Sequence, residues 1–350
     1  MPNLARNGAY RMPAEWESQQ STWIAWPHNK NDWPGKFEDI PGVFALIISS
    51  ISKVQLVNIL VNRKSEHKKI INKLKSFGTK ISNIRLINCK TDRSWVRDSL
   101  PIFVKIKKNK KILSNWEFNA WAKYKNFKKD NKAYLKIKRA TKIKVIKPKF
   151  KRKKIILEGG SIDVNGTGLL LTTKQCLLSK IQERNKGFKK KDYEIIFKKF
   201  FGINKVIWLH KGIVGDDTHG HVDDVARFVG KNKIFVAKES NKKEKNFKNL
   251  SENIKILKKY KKENIKKLKI VPIPMPKPKK IKGIRVPASY LNFYIANKIV
   301  LVPVFKDPKD KIVLRIFEKH FKSRKIVPVD CSVLVWGFGT IHCLTQQEPI

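Results

Sequence analysis

Lysine runs through this chain in blocks, and the stretches it spares constrain the fold more than the blocks do. Residues 105–111, 123–154, 186–199 and 242–280 are dense in lysine, whereas 12–34, 91–104, 155–178, 207–229, 286–305 and 327–349 have nearly ordinary composition. A drift toward lysine fills solvated faces freely and stops where packing or chemistry holds a position. The spared islands are therefore where core and function are sought. Between them, short apolar runs at 54–61, 205–209, 233–236 and 299–304 suit buried strands. Helical patterns occupy 42–51, 65–77, 193–200 and 310–321, the last opening on Asp307-Pro308 as a cap and first-turn proline. Proline-rich 272–280 cannot continue a helix and reads as an extended loop. Strands alternate with helices and no flexible linker intervenes, which predicts a single α/β catalytic domain over residues 1–350.

Charge invites a nucleic-acid reading, because 78 Lys+Arg against 28 Asp+Glu leaves a formal +50. The positive charge is scattered, overwhelmingly lysine, and attached to no zinc finger, aromatic RNA-binding signature or base-reading helix. No specific nucleic-acid partner is expected, and no membrane partner. No stretch approaches the roughly 18 apolar residues of a membrane span, and residues 1–12 lack the apolar core of a secretory signal. A cytoplasmic location is the default expectation, and self-association into a homo-oligomer stays open. The four cysteines form no CxxC pair or zinc spacing. Cys89, Cys176 and Cys331 sit in apolar surroundings and read as inert core thiols.

Three islands carry chemistry. In 207–229 an apolar strand runs into a loop with four Asp and two His within nine residues, and no lysine follows Ile213. His221 and Asp223, two apart, would share a face of an extended segment as an acid/base beside a cation-binding carboxylate. His219, His221, Asp217 and Asp223 could instead ligate a metal. In the second island, Trp95-Val96-Arg97-Asp98, a lone Asp beside Arg suits a structural ion pair, or a planar acceptor for a guanidinium with a tryptophan face nearby. In the third, glycines 337 and 339 precede His342-Cys343, and a cysteine beside histidine could be a lowered-pKa thiolate or a buried thiol.

Taken together and in order, the islands resemble the agmatine deiminase / bacterial-type peptidylarginine deiminase family of the guanidino-modifying pentein superfamily. The resemblance is carried by MPAEWE (12–17), TWIAWP (22–27), WVRD (95–98), FNAW (118–121), LEGGSI (157–162) and T-x-x-C-L-L ending at 178. GDDTHGHVDD (215–224), PASY-x-NFYIAN (287–297) and G-x-GTIHC-x-TQQ (337–347) complete it. It implies a cofactor-free, metal-free hydrolase with Cys343 as nucleophile, His221 as general acid/base, and Asp98 and Asp223 gripping the guanidinium. Trp95, Glu158, Asp217 and Asn292 match positions near the site. The implied fold is a five-bladed α/β propeller of ββαβ units around a central site, although the sequence itself shows no repeat. The implied substrate is agmatine, a small cationic guanidine of putrescine-forming polyamine metabolism, with peptidylarginine or another guanidine as the alternative. Gly337-Phe338-Gly339-Thr340, Asp163 after GGSI, and Ala122-Lys123 after FNAW depart from the family pattern. They bear on the substrate and leave the reaction class untouched.

Overall fold

The computed structural model describes residues 10–106 and 110–350. Its strands assemble the same local pattern five times: an antiparallel pair, then a helix, then a strand parallel to the pair's second member. Asp163–Val164 pairs antiparallel with Leu169–Thr173, helix Lys190–Phe201 crosses over, and Lys205–Leu209 returns parallel. Ala226–Gly230, Lys233–Lys238, helix Phe247–Glu263 and Lys269–Pro274 repeat the sequence. So do Tyr294–Ala296, Ile299–Val304, helix Asp310–His320 and Lys325–Asp330. Ile102–Lys105, Lys111–Ser114, helix Tyr134–Thr141 and Val145–Ile146 form a shorter copy. The fifth joins both ends of the chain. C-terminal Gln346–Pro349 lies antiparallel to Gln19–Ala25, helix Ile40–Ser52 follows, and Leu56–Val61 and Ile84–Asn88 add in parallel. A parallel return needs a crossover, and an amphipathic helix both spans the distance and buries one face on the sheet.

The apolar runs at 54–61, 205–209, 233–236 and 299–304 all hold strands, and the four helical patterns all hold helices. Two local expectations change. Pro272 and Pro274 lie inside Lys269–Pro274, opposite Val236 and Lys238. That strand is a sheet edge, where a missing N–H costs no ladder bond. Asp307 does not cap the last helix, whose N-cap is Lys309. Its carboxylate accepts instead from the backbone N–H of Lys309 and of Lys277, tying two segments together.

Packing follows the sheets. Phe235, Phe293, Phe317 and Phe321 interleave at centroid separations of 5.0–6.3 Å between two of the repeats. Truncating one of these buried rings to alanine is worth about 3–5 kcal/mol. Among the described residues no lysine is buried, as expected of a residue that fills solvated faces. Among them, too, no helix is long and apolar enough to cross a membrane.

Candidate active site

The five repeats contribute to one place, each from the segment just before its first strand. Asp98 sits on the short helix Val96–Ser99 ahead of Ile102–Lys105, and Glu158 and Gly160 lie ahead of Asp163–Val164. His221 and Asp223 precede Ala226–Gly230, Asn292 precedes Tyr294–Ala296, and Cys343 precedes Gln346–Pro349. A cleft of about 390 Å³ reaches this point, lined among others by Trp95, Asp98, Trp121, Asp217, Gly339 and Cys343.

Gly160 marks where the groups converge. A Cβ built on it would lie 2.6 Å from His221 Nδ1, 2.9 Å from Asp98 Oδ1 and 3.1 Å from Asp223 Oδ2. Its own N–H donates to Asp98 Oδ1 at 2.8 Å, and Trp121 Nε1 donates to Asp98 Oδ2 at 2.9 Å. Arg97 is not the ionic partner of Asp98. It pairs with Glu15 at 3.3 Å and donates to Gln347 Oε1 at 2.6 Å, so the sequence neighbours point to different networks. Trp121 is held for its task by an unusual backbone. Ala120, Trp121 and Ala122 all have positive φ (51°, 60° and 54°), each costing on the order of 1–2 kcal/mol. Asn119 Oδ1 accepts from Ala122 N–H and Gln182 Nε2 donates to Trp121 O, which pins the segment.

His221 is not on a strand. It immediately precedes a 3₁₀ turn, Val222–Asp224, that brings Asp223 to the same site. Asp216 builds this bend, its Oδ2 accepting from the N–H groups of Gly220 at 2.6 Å and His221 at 2.9 Å. The imidazole lies with Nδ1 3.7 Å from Asp98 Oδ2 and Nε2 3.7 Å from Glu158 Oε2, and neither nitrogen has a hydrogen-bond partner. Burial alone would push its pKa down. The Asp98 carboxylate, with Cys176 and Glu158 beyond, outweighs burial and lifts it well above the ordinary histidine value. Glu158 is buried too, yet the Arg184 guanidinium, 2.9 Å from its Oε1, holds its pKa down at about 2.

Cys343 Sγ lies 3.2 Å from Asn292 Nδ2 and 3.8 Å from Asp223 Oδ2. Asn292 fixes the whole turn, its Oδ1 accepting from Thr340 Oγ1 and from the N–H groups of His342 and Cys343. The thiol is not acidified by its sequence neighbour, because the His342 ring faces Asp223 and Glu15 instead. Burial, then the charges of Asp223, Asp224 and Asp98, hold the Cys343 pKa well above the usual thiol range. Asp223 itself is driven low despite burial, chiefly by its hydrogen bond from His342, while burial and the Asp223 charge push Asp224 well up.

Trp95 forms the cleft wall, packed on Trp33 at 5.2 Å and against Gly337 and Gly339, where a Cβ would meet its ring at 2.8–2.9 Å. Asp217 stands apart from the inner group, paired with Lys123 and accepting from Tyr124 Oη at 2.5 Å in the cleft lining. The metal set suggested by the sequence does not assemble. His219 turns to Ser179 Oγ at 3.0 Å and Asp223 to His342. Among the described residues only Glu158, Cys176 and His221 have ligand spacing, within 4.8 Å, and there Arg184 already supplies Glu158 with a cation. Cys176 is thus a neighbour of His221 rather than a remote core thiol. Nothing in its apolar surroundings in sequence announces this. Trp121 and Glu15 were not singled out as site residues either, although they lie in the FNAW (118–121) and MPAEWE (12–17) motifs.

The profile of the Porphyromonas-type peptidyl-arginine deiminase family matches residues 11–349. An agmatine deiminase of Pseudomonas aeruginosa is 28% identical over 367 residues, covering 98% of this chain and 96% of the relative. The Enterococcus faecalis agmatine deiminase superposes with a TM-score of 0.88 at 28% identity, over 99% of this chain and 97% of its own. A C. jejuni agmatine deiminase solved with substrate bound gives 0.87 at 28% identity, over 99% and 98%. More distant likenesses are of fold alone: an amidinotransferase from Microseira wollei at 14% identity and TM-score 0.50, and the N-terminal domain of a cyanobacterial arginine dihydrolase at 10% and 0.52.

Proposed function

This chain belongs to the Porphyromonas-type peptidyl-arginine deiminase family, and we propose that it is an agmatine deiminase, hydrolysing the guanidinium of agmatine to N-carbamoylputrescine and ammonia. The observation that carries the reading is Cys343 and Asp98 in the lining of one cleft, with Asp223 Oδ2 3.8 Å from Cys343 Sγ and His221 Nδ1 3.7 Å from Asp98 behind them. A guanidinium carbon resists nucleophiles because resonance spreads its charge. Asp98 and Asp223 would hold its nitrogens and localise that charge. The same cation offsets the carboxylate charges that keep the Cys343 thiol neutral, so binding itself promotes loss of the thiol proton to solvent and leaves the thiolate beside protonated His221. The thiolate attacks the carbon, and His221, with its raised pKa, gives a proton to the departing ammonia. The resulting thiouronium keeps the substituted nitrogen. Neutral His221 then takes one proton from water, which attacks the same carbon; the C–S bond breaks to release the Cys343 thiolate, and the remaining hydroxyl proton passes to solvent as the carbamoyl C=O forms. Asn292, donating to Sγ, stabilises that leaving group. No cofactor or metal enters the balance.

In this reading the chain is one catalytic domain over residues 1–350, and its five ββαβ sheets are the blades of a propeller around the cleft. The shared sheet of the two chain ends and the five equivalent site segments support that arrangement. A cytoplasmic enzyme supplying a precursor of putrescine fits a small diffusible substrate. A second reading, deimination of peptidylarginine or free arginine, draws support from Asp217. Lys123 already neutralises it, so this carboxylate is compensated against a distal ammonium. Ammonia release from agmatine, arginine and an internal-arginine peptide, by wild type and Cys343→Ala, decides between them. The proposal expects agmatine to be turned over fastest and the alanine variant to be inert. Turnover of none, or full activity in the variant, would overturn it.

A further inference from the structure

His342 and Glu15 lie in motifs to which the reaction above gives no part, yet they sit directly behind its substrate-facing carboxylate. His342 Nδ1 is 2.7 Å from Asp223 Oδ2, and its Nε2 is 2.8 Å from Glu15 Oε2. Glu15 is fixed in turn. Ile295 N–H donates to its Oε1 at 2.8 Å, Arg227 Nη2 lies 3.0 Å from Oε1, and Arg97 Nη2 lies 3.3 Å from Oε2. Arg227 is anchored by Asp163 and by the Phe293 carbonyl at 3.0 Å. Every member is buried, with Glu15 6%, Arg97 3%, His342 2%, and Asp223 and Arg227 0% exposed. Asp223 Oδ1, by contrast, is buried without any partner.

A carboxylate with one oxygen tied and the other free is oriented, not merely satisfied. A free carboxylate turns readily about its Cα–Cβ and Cβ–Cγ bonds, and a single charge-assisted hydrogen bond removes that freedom. We infer that His342 and Glu15 are positioning residues for the deimination site: Glu15, clamped by Arg97 and Arg227, holds the His342 ring, and the ring fixes the Asp223 carboxylate against Cys343, with Oδ2 3.8 Å from Sγ and Oδ1 left without a protein partner. This rests on the guanidine-hydrolase reading for its substrate but on geometry alone for the chain of contacts. Asp163 then matters at one remove, as the anchor of Arg227.

The test separates orientation of the carboxylate from general damage. Cys343 is alkylated with a cationic reagent, 2-chloroacetamidine, and with its neutral counterpart, 2-chloroacetamide, and each rate is followed by intact mass. In both cases the thiolate displaces chloride. The ratio of the two rates, divided by the same ratio for a small free thiol, measures how well the site's carboxylates receive a planar cation. In His342→Gln the amide offers a donor to one carboxylate and an oxygen to the other, so the corrected ratio should fall about tenfold or more. Glu15→Gln, which can still accept from Ile295 N–H, should lower it less. The double variant should match His342→Gln rather than multiply the two losses. On the preferred guanidine, kcat/KM should fall in the same order while both single variants, though less stable than wild type, keep a cooperative melt. A ratio unchanged in both single variants while Asp223→Asn lowers it would overturn the inference, as would parallel slowing by both reagents. If wild type hydrolyses no guanidine but the ratio still falls as stated, the functional reading fails and the positioning chain stands.

Discussion

Adding a single methyl group at Gly160 should disable the site while leaving the fold standing. The Cβ of Gly160→Ala would fall 2.6 Å from His221 Nδ1, 2.9 Å from Asp98 Oδ1 and 3.1 Å from Asp223 Oδ2. Ordinary contact begins near 3.4 Å, so the imidazole must retreat by about 0.8 Å, with smaller shifts of both carboxylates. None of the three can move into solvent, since His221 is 1% exposed, Asp98 4% and Asp223 0%. Their other contacts resist too, through Trp121 on Asp98 and His342 on Asp223. Displacing reacting groups by about 1 Å costs on the order of 10²-fold in rate, and overpacking a buried site costs about 1–3 kcal/mol of stability. The backbone adds no strain of its own, because Gly160 is not among the residues with positive φ. Steady-state ammonia release and thermal denaturation are the assays. Gly42→Ala is the control, its Cβ meeting only Phe77 at an ordinary 3.7 Å inside helix Ile40–Ser52. The expected result is kcat/KM lower by about 10²-fold or more in Gly160→Ala, with a cooperative melt and a fully active control. Activity within about threefold of wild type would refute the claim that His221, Asp98 and Asp223 act together around this glycine.

Arg227→Met would leave Glu15 and Asp163 buried without their shared cation, and should cost about 3–5 kcal/mol in urea denaturation. A loss below about 1 kcal/mol would show that pair to be dispensable. Asp130→Asn should stabilise the protein above pH 7. Burial raises the Asp130 pKa to about 7 from an ordinary 3.8, so the stability this group contributes is present at low pH and lost as pH rises through about 7. Asparagine keeps the acceptor for Asp92 N–H without the charge, so the variant's gain in melting temperature should shrink as pH is lowered toward about 4. A gain independent of pH would contradict this. Finally, a chain of formal charge +50 should repel dicationic agmatine at long range, and screening over about 8 Å at physiological salt relieves that repulsion. Turnover at subsaturating agmatine should therefore rise with moderate salt, and a steep fall would count against it.

What could be read from the sequence was set by how local its cause is. Strands at 205–209 and 299–304 were legible because a short apolar run has few other uses, and the structure places them at Lys205–Leu209 and Ile299–Val304. The fivefold repetition was not legible, because it lives in strand pairing and crossover, while the equivalent return strands range from the two-residue Val145–Ile146 to the six-residue Lys269–Pro274. His221, Asp98 and Asp223, which converge on Gly160, all lie in motifs within islands that lysine spares, so their gathering could be sought from the sequence. The links between islands were not legible. Arg97 reads as the partner of Asp98 and pairs with Glu15 instead, 82 residues away. His342 reads as an activator of Cys343, and its ring serves Asp223. Cys176 gives no signal of its place beside His221. Adjacency in sequence misled in each instance, because a turn can send neighbouring side chains to opposite sides of the backbone.

The central claim is covalent catalysis by Cys343, and it is tested most directly by trapping the intermediate. Wild-type protein mixed with agmatine is quenched in acid within a turnover, and its intact mass and tryptic peptides are measured. The account predicts a mass gain equal to agmatine less one ammonia, confined to the peptide bearing Cys343, absent in Cys343→Ala, and cleared on longer incubation as water completes the reaction. Steady ammonia release with no adduct on Cys343, or undiminished release by Cys343→Ala, would contradict it.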